Sequence, residues 1–300
     1  MSVDPDLTTV GQARRWAAER LAAVTDRPYT EGERLLAHVL QVTRTALLAH
    51  PEWPLRARTA EHYTDLVQRR AAGSPLPYLI GEVEFYGLPF SVTPDVLIPR
   101  PETELLVSLA LERLSTLANP RVVEVGTGSG CIAVTLAVHS PGLHLFATDL
   151  SGAALRVARQ NARRYGVSGR ITWLQADLLS PLRRPFDVIV SNPPYVAETE
   201  WAELPASVRH EPRTALLGGP QGLSVITRLL RQTRERLATG GYLLVEIGER
   251  QGEAALALSR AALEGRLAGD ADLHLHQDLA GKDRILEARL TGPADEAALE

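Results

Sequence analysis

The sequence predicts an α/β protein with a mostly parallel sheet of seven strands, preceded by a small all-α bundle and a linking β-hairpin. Three observations carry this prediction. Strand and helix patterns alternate from residue 121 onward, as they do where helices cover both faces of a parallel sheet. A glycine-rich turn, Gly126-Thr127-Gly128-Ser129-Gly130, stands between an apolar strand and an apolar helix. Residues 1–75, by contrast, carry helical periodicity throughout.

In chain order, Thr8 or Thr9 can cap a first helix whose Val10, Ala13, Trp16, Ala17, Leu21 and Val24 share one face. A second run, 31–42, places Leu35, Leu36, Val39 and Leu40 on one side. A short third helix, 43–49, ends before Pro51, and a fourth, 55–72, stops at Gly73-Ser74-Pro75. Four amphipathic helices with short connections make a bundle. No catalytic constellation lies in it, so its role is structural or partner recognition. Residues 77–94 read as two short strands around Gly87-Leu88-Pro89, a hairpin between domains. The proline-stiffened turn Pro99-Arg100-Pro101-Glu102 then feeds a helix over 105–117. Thr103 or Glu102 there can be plain capping chemistry, or the turn with Arg100 and Glu102 can lie over a substrate or cofactor.

The alternating part places strands at 121–125, 143–148, 171–176, 186–191 and 242–247, with helices at 131–138, 153–165 and 223–238. A helix at 251–262 and strands at 273–277 and 284–290 follow, the last two as an edge hairpin, and 291–300 reads as a polar, frayed tail. The domain expectation is therefore a helical domain over 1–75, hairpin and linker over 76–104, a catalytic domain over 105–290, and the tail.

Composition bounds the function. The 300 residues are 45% hydrophobic and 23% charged, with net charge −4 and pI near 6.1. That is poor support for an extended nucleic-acid surface, although Arg69-Arg70 and Arg163-Arg164 remain local patches. Lys282 is the sole lysine. One cysteine, Cys131, excludes an internal disulfide and fits a reducing compartment. No charged-then-apolar leader opens the chain and no apolar run approaches the ~20 residues of a membrane span, so a cytoplasmic protein is expected. His274 and His276 alternate on a strand and read as surface, and no metal site is expected.

The chemistry concentrates in Asn192-Pro193-Pro194-Tyr195, directly after the buried strand 186–191. Neither proline can donate to a ladder, so the strand stops in a stiff loop at its carboxyl end, where open α/β sheets bind ligands. Asn192 and adjacent backbone carbonyls offer acceptors to a neutral planar NH2 group, and Tyr195 offers a flat face. This fits methyl transfer to a conjugated nitrogen, whose lone pair is held by a resonance that imposes a barrier of roughly 18–20 kcal/mol. Acceleration would then come from orientation and preorganised electrostatics.

Upstream, the glycine loop and Asp149, at the end of the next strand, match a nucleoside site in which a carboxylate holds the ribose hydroxyls. Asp177 can reach an adenine amine and Leu178 can cover the ring. A nicotinamide dinucleotide is the competing cofactor, but the third glycine of G-x-G-x-x-G falls one residue early, with Cys131 in its place, and no hydride-transfer pair is evident. S-adenosyl-L-methionine suits this Rossmann-like loop better. Cys131 as a nucleophile lacks a nearby histidine and reads as core packing.

These motifs resemble the bacterial protein-(glutamine-N5) methyltransferases that modify peptide-chain release factors, the HemK/PrmC group. The resemblance rests on Phe85 to Phe90, Val96 to Glu104, Glu124 to Ile132, Asn192 to Tyr195, His210 to Leu216 with Gly218-Gly219, Val245 to Gly248 and Asp278 to Arg284. It implies a class I S-adenosylmethionine-dependent methyltransferase fold and, as acceptor, the glutamine of the Gly-Gly-Gln loop of class 1 release factors. It further implies Gly126 to Gly130 and Asp149 for the cofactor, and Asn192 with the Pro193 carbonyl for the two amide N–H bonds, with the helical domain helping to hold the factor. Glu124 stands where many members carry aspartate, and Leu178 where some place an aromatic. A sister family methylating a ribosomal-protein glutamine reads Ser-Pro where this chain has Pro101-Glu102-Thr103-Glu104, which favours the release-factor branch, and N6-adenine nucleic-acid methyltransferases share Asn-Pro-Pro-Tyr. Both remain alternatives, and a monomer is expected.

Overall fold

The computed structural model describes residues 7–291. The chain divides into two compact units, one holding the chain up to Glu82 with Pro205–His210, the other Val83–Leu204 and the chain from Glu211 on. In the first unit, α1 (Val10–Leu21), α2 (Pro28–Leu40), α3 (Arg44–Ala49) and α4 (Ala57–Ala71) are joined by a fifth helix that periodicity does not predict, α5 (Leu76–Ile80). Pro75 and Pro77 mask it in the sequence, yet a first-turn proline is compatible with helix, and Gly81 closes it in the left-handed region at φ 80°. Thr9 caps α1 in a reciprocal box with Gln12, and α1 ends at Leu21, so Val24 lies beyond it and is exposed. Leu21, Leu35, Leu36, Leu47, Tyr63 and Val67 form the core. Glu33 is buried between Arg14 and Arg44 (2.5 and 2.7 Å), and Arg70 is buried against Glu31, so Arg69-Arg70 is not an exposed basic pair.

β1 (Glu82–Phe85), which belongs to the second unit from Val83 on, and β2 (Leu88–Ser91) form the hairpin. Its turn sits at Tyr86 and Gly87, both at positive φ (52° and 71°), rather than at 87–89, as a two-residue turn matching strand twist requires. The main sheet contains β3 (Val122–Val125), β4 (Leu145–Asp149), β5 (Ile171–Gln175), β6 (Phe186–Ser191), β7 (Leu237–Glu246), β8 (Leu273–Gln277) and β9 (Asp283–Arg289). They lie in the order β5-β4-β3-β6-β7-β9-β8, parallel as far as β7 and antiparallel thereafter. The expected seven strands and edge hairpin are present. β7 begins five residues earlier than the apolar run suggests, with a register shift opposite Phe186/Val188.

Helices α6 (Thr103–Ser115), α7 (Cys131–His139), α8 (Gly152–Arg164), α9 (Arg213–Leu216), α10 (Ser224–Arg236) and α11 (Gly252–Ala262) complete the unit. The sheet separates two apolar clusters, one containing Leu106, Ile132, Leu136 and Val188, the other Ile189, Leu229, Leu243 and Leu286. Cys131 is buried in the first of them, and burial pushes its thiol up to about 12, consistent with packing rather than nucleophilic work. His276 is not simply surface, since it reaches Glu287, which also takes Arg113. Among the described residues no helix is long and apolar enough to cross a membrane. The expected tail lies outside the described residues except for Thr291.

Candidate active site

The strand order turns back between β3 and β6: the chain runs outward through β4 and β5, then returns to the other side of β3. Ligands of open α/β sheets bind at the carboxyl ends beside such a reversal. A cavity of about 580 Å³ lies there. Gly126, Gly128, Asp149, Asp177, Leu178, Asn192 and Pro194 line it, joined by Asp95, Leu97, Leu150, Pro212 and Thr214.

Local geometry explains the glycine loop. Gly126, Gly128 and Gly130 all take positive φ (75°, 55° and 79°). A Cβ on Gly130 would stand 2.9 Å from Ala158 Cβ, so its absence lets α8 close on the loop. Four of the loop's five N–H groups are committed internally. Gly126 and Thr127 donate to Thr148 O, Gly130 donates to Thr127 O, and Gly128 donates to Asp149 Oδ2 (2.8 Å). Ser151 N donates to the other oxygen, Oδ1, at 2.8 Å. Burial pushes the Asp149 carboxyl up, opposed by these two backbone donors. Each carboxylate oxygen retains acceptor capacity toward the cavity. Asn161, in α8, ties Ser129 O (2.9 Å) to both backbone groups of Ser91 in β2, so the hairpin braces the loop.

Beneath the loop, Glu124 is fully buried. Its Oε2 takes the Thr127 hydroxyl (2.5 Å) and Ala133 N (3.0 Å), while Oε1 has no partner. Burial pushes this carboxyl up to about 8.

The Asn192-Pro193-Pro194-Tyr195 segment leaves β6 with Ser191 Oγ donating to Val125 O (2.7 Å). Asn192 donates from Nδ2 to Thr103 Oγ1 at 3.0 Å. Glycines and backbone hold the loop from outside. Val196 pairs with Leu217, Gln251 donates to Tyr195 O (2.9 Å), and a Cβ on Gly222 would fall 2.1 Å from Tyr195 O. The Tyr195 hydroxyl donates to Glu246 Oε1 at 3.4 Å.

The structure thus brings Gly126, Gly128, Asp149, Asp177, Leu178, Asn192 and Pro194 together around the cavity, whereas Thr127, Ser129, Gly130, Pro193 and Tyr195 stand behind its wall, Thr127 and Ser129 buried and the Tyr195 hydroxyl turned to Glu246. Arg100 and Glu102 do not line the cavity. Arg100 is held by Glu211 (2.6 Å), which also accepts from Ile98 N and so ties the 98–100 turn to Pro212 and Thr214 in the cavity wall. Thr103 is buried beneath Asn192 rather than capping α6, whose N-cap, Glu102, makes no side-chain capping bond. Asp177 pairs with Arg228, and Leu178 sits at φ 53°, an uncommon backbone state for a leucine. Leu150, 66% exposed, is an apolar wall residue that the sequence reading omitted. An apolar residue directly after Asp149 was its signal.

Comparisons with known proteins fit this geometry. The family described as PrmC N-terminal domain matches residues 12–81, and the methyltransferase small domain matches 102–207. A release factor glutamine methyltransferase of Moorella thermoacetica is 45% identical over 93% of this chain and 98% of its own length. The chain belongs to the release factor glutamine methyltransferase family. A member from Bordetella pertussis is 44% identical over 86% of this chain and 93% of its own. The catalytic domain of hMettl16, solved with a hairpin of the MAT2A 3′UTR, aligns with TM-score 0.54 at 19% identity over 76% of this chain and 84% of that one, a likeness of fold. The fold is that of class I S-adenosylmethionine-dependent methyltransferases.

The cavity fits that cofactor. Its charged lining is Asp95, Asp149 and Asp177 against Arg228 alone, which suits a cationic nucleoside. A dinucleotide pyrophosphate is cradled by several loop N–H groups, and Thr148, Thr127 and Asp149 already occupy four of the five here.

Proposed function

We propose that this chain transfers a methyl group from S-adenosyl-L-methionine to the side-chain amide nitrogen of the Gly-Gly-Gln glutamine in a class 1 release factor, giving N5-methylglutamine and S-adenosylhomocysteine. The observation that carries the reading is Asn192 at the cavity wall, its nitrogen turned to Thr103 and its carbonyl oxygen left as an acceptor. When bound, the cofactor supplies an electrophilic methyl carbon on a sulfonium. The chain's residues do the rest. Asp149 accepts the ribose hydroxyls with its remaining lone pairs, and Leu150 and Leu178 flank the base. Asn192 Oδ1 and the Pro193 carbonyl take the two N–H bonds of the glutamine amide and orient its nitrogen. Tyr195 packs on the amide plane. Holding both N–H bonds favours localisation of the lone pair and eases loss of the proton after transfer.

The helical unit is the recognition element for the factor in this reading, and the 98–104 turn positions the wall over the acceptor. The protein acts as a cytoplasmic monomer without an extended nucleic-acid footprint, in keeping with its net charge of −4.

The test is label transfer from radiolabelled cofactor to purified release factor, with total RNA and DNA as parallel acceptors. Label on the factor, lost when its Gly-Gly-Gln glutamine is replaced, is expected. Label on nucleic acid alone would move the enzyme to the adenine class, which shares the same loop.

A further inference from the structure

A carboxylate that no step above uses lies beneath the Asn192 to Tyr195 loop. Glu246 ends β7 at 1% exposure, and its Oε2 has no partner. Burial pushes its carboxyl up to about 7, while hydrogen bonding by the hydroxyls of Thr103 and Tyr195 and the charge of Arg284 oppose that rise. The other charges facing it come from separate elements. Glu102, before α6, adds to the upward push, and Cys131, at the start of α7, feels the carboxylate in turn. Arg284, on β9, is itself shared with Asp278 (2.8 Å) and Glu249 (3.7 Å), and Arg100 acts on Tyr195.

The hydrogen-bond inventory restricts this cluster. A threonine hydroxyl has one proton and two lone pairs, and an ionised carboxylate only accepts. Thr103 accepts from Asn192 Nδ2 (3.0 Å), so the proton of its hydroxyl is uncommitted, and the buried, unpartnered Oε2 of Glu246, whose carboxyl this hydroxyl influences, is the acceptor in want of one. We propose that Glu246 is a positioning residue for methyl transfer: by taking the Thr103 proton it fixes Thr103 as an acceptor, which locks the Asn192 amide with its oxygen toward the acceptor glutamine, and it anchors Tyr195 through Oε1. This rests on the reading that Asn192 accepts an N–H of the substrate amide. Once protonated, Glu246 donates to Thr103, whose own proton can then turn to Asn192 Oδ1. The Asn192 amide rotates, and its NH2 faces the NH2 of the substrate, donor against donor.

The test combines pH profiles with a readout that needs no acceptor. In wild type, kcat/KM for release factor falls as pH drops through about 7, with cofactor Kd unchanged. Glu246→Gln lowers kcat/KM about tenfold or more at alkaline pH, as a misplaced reacting group does, and flattens the profile. Thr103→Val gives the same loss, and Thr103→Ser recovers most of it. In wild type without acceptor, the side-chain amide NMR signals of Asn192, assigned by their loss in Asn192→Ala, shift with a midpoint near 7, and in Glu246→Gln they do not. Glu246→Gln with wild-type rate and profile, or Asn192 signals that stay still across that range, would overturn the role. Signals that titrate in a protein that labels no release factor would uphold the coupling and sink the proposed function instead.

Discussion

Asn192 and Asp149 divide the work of the cavity, so their substitutions should fail differently. Asn192→Ala removes the acceptor that orients the substrate nitrogen but leaves the glycine loop and Asp149 untouched. Single-turnover rates are expected to fall by about 10²–10³, the scale of losing one preorganised polar group, with the cofactor Kd within a few-fold of wild type. A Kd loss with intact single-turnover chemistry would remove the assignment. Asp149→Ala should do the reverse, and more, because Gly128 N and Ser151 N both lose their acceptor. Calorimetry with S-adenosylmethionine checks this, and an unaffected Kd would end the ribose role. Both residues are legible in the sequence because each follows a strand with its motif in one contiguous stretch. Thr103 and Glu246 are not, because their link to Asn192 and Tyr195 spans 89 and 51 residues and exists only once the sheet has assembled. A buried threonine at a helix start looks like a cap until its neighbour across the fold is known.

At the scale of elements, the glycine loop and the Asn192 to Tyr195 loop each depend on a close approach that one methyl group would block. Gly130→Ala meets Ala158 Cβ at 2.9 Å and Cα at 3.1 Å from a backbone at φ 79°. The expected cost is about 1–3 kcal/mol, read as a lower midpoint in urea unfolding, together with weaker cofactor binding as α8 is pushed from the loop. Gly222→Ala meets Tyr195 O at 2.1 Å instead, so it should displace the catalytic loop and lower kcat while cofactor affinity holds. Equal effects of the two variants on Kd would show that the loops move as one body. The alternation of strands and helices was readable because buried parallel strands are continuous apolar runs. The helix Leu76–Ile80 was hidden by its prolines, and the early start of β7 by Gly240-Gly241, where the register shift lets the chain join the sheet before its apolar run begins.

For the whole molecule, the buried carboxylates make stability and activity pull in opposite directions with pH. Glu124 and Glu246 are pushed up to about 8 and about 7 by burial, above the ordinary glutamate range. The folded state therefore binds protons that the unfolded chain has released, and their contribution, complete below pH ~4.5, is lost as pH rises through 7 and 8. Glu287 runs the other way. Burial works to raise it, but His276 and Arg113 hold it down to about 2, so its contribution is present above pH ~4.5 and fades only as pH falls toward 2. Between pH ~5 and ~7 the raised pair sets the slope, at up to about 1.4 kcal/mol per pH unit for each group. Urea unfolding should therefore show the protein more stable at pH 5 than at pH 8, and Glu124→Gln should flatten that fall. Stability that rises across the window, or a slope indifferent to Glu124→Gln, would mean that water or a neighbouring cation already compensates these carboxylates. Transfer, by contrast, needs Glu246 ionised beneath Asn192, so kcat/KM should climb over the range in which the fold weakens. A site that keeps two buried carboxylates under its cofactor loop and catalytic loop gives up stability at the pH where it works, as expected of a preorganised polar site.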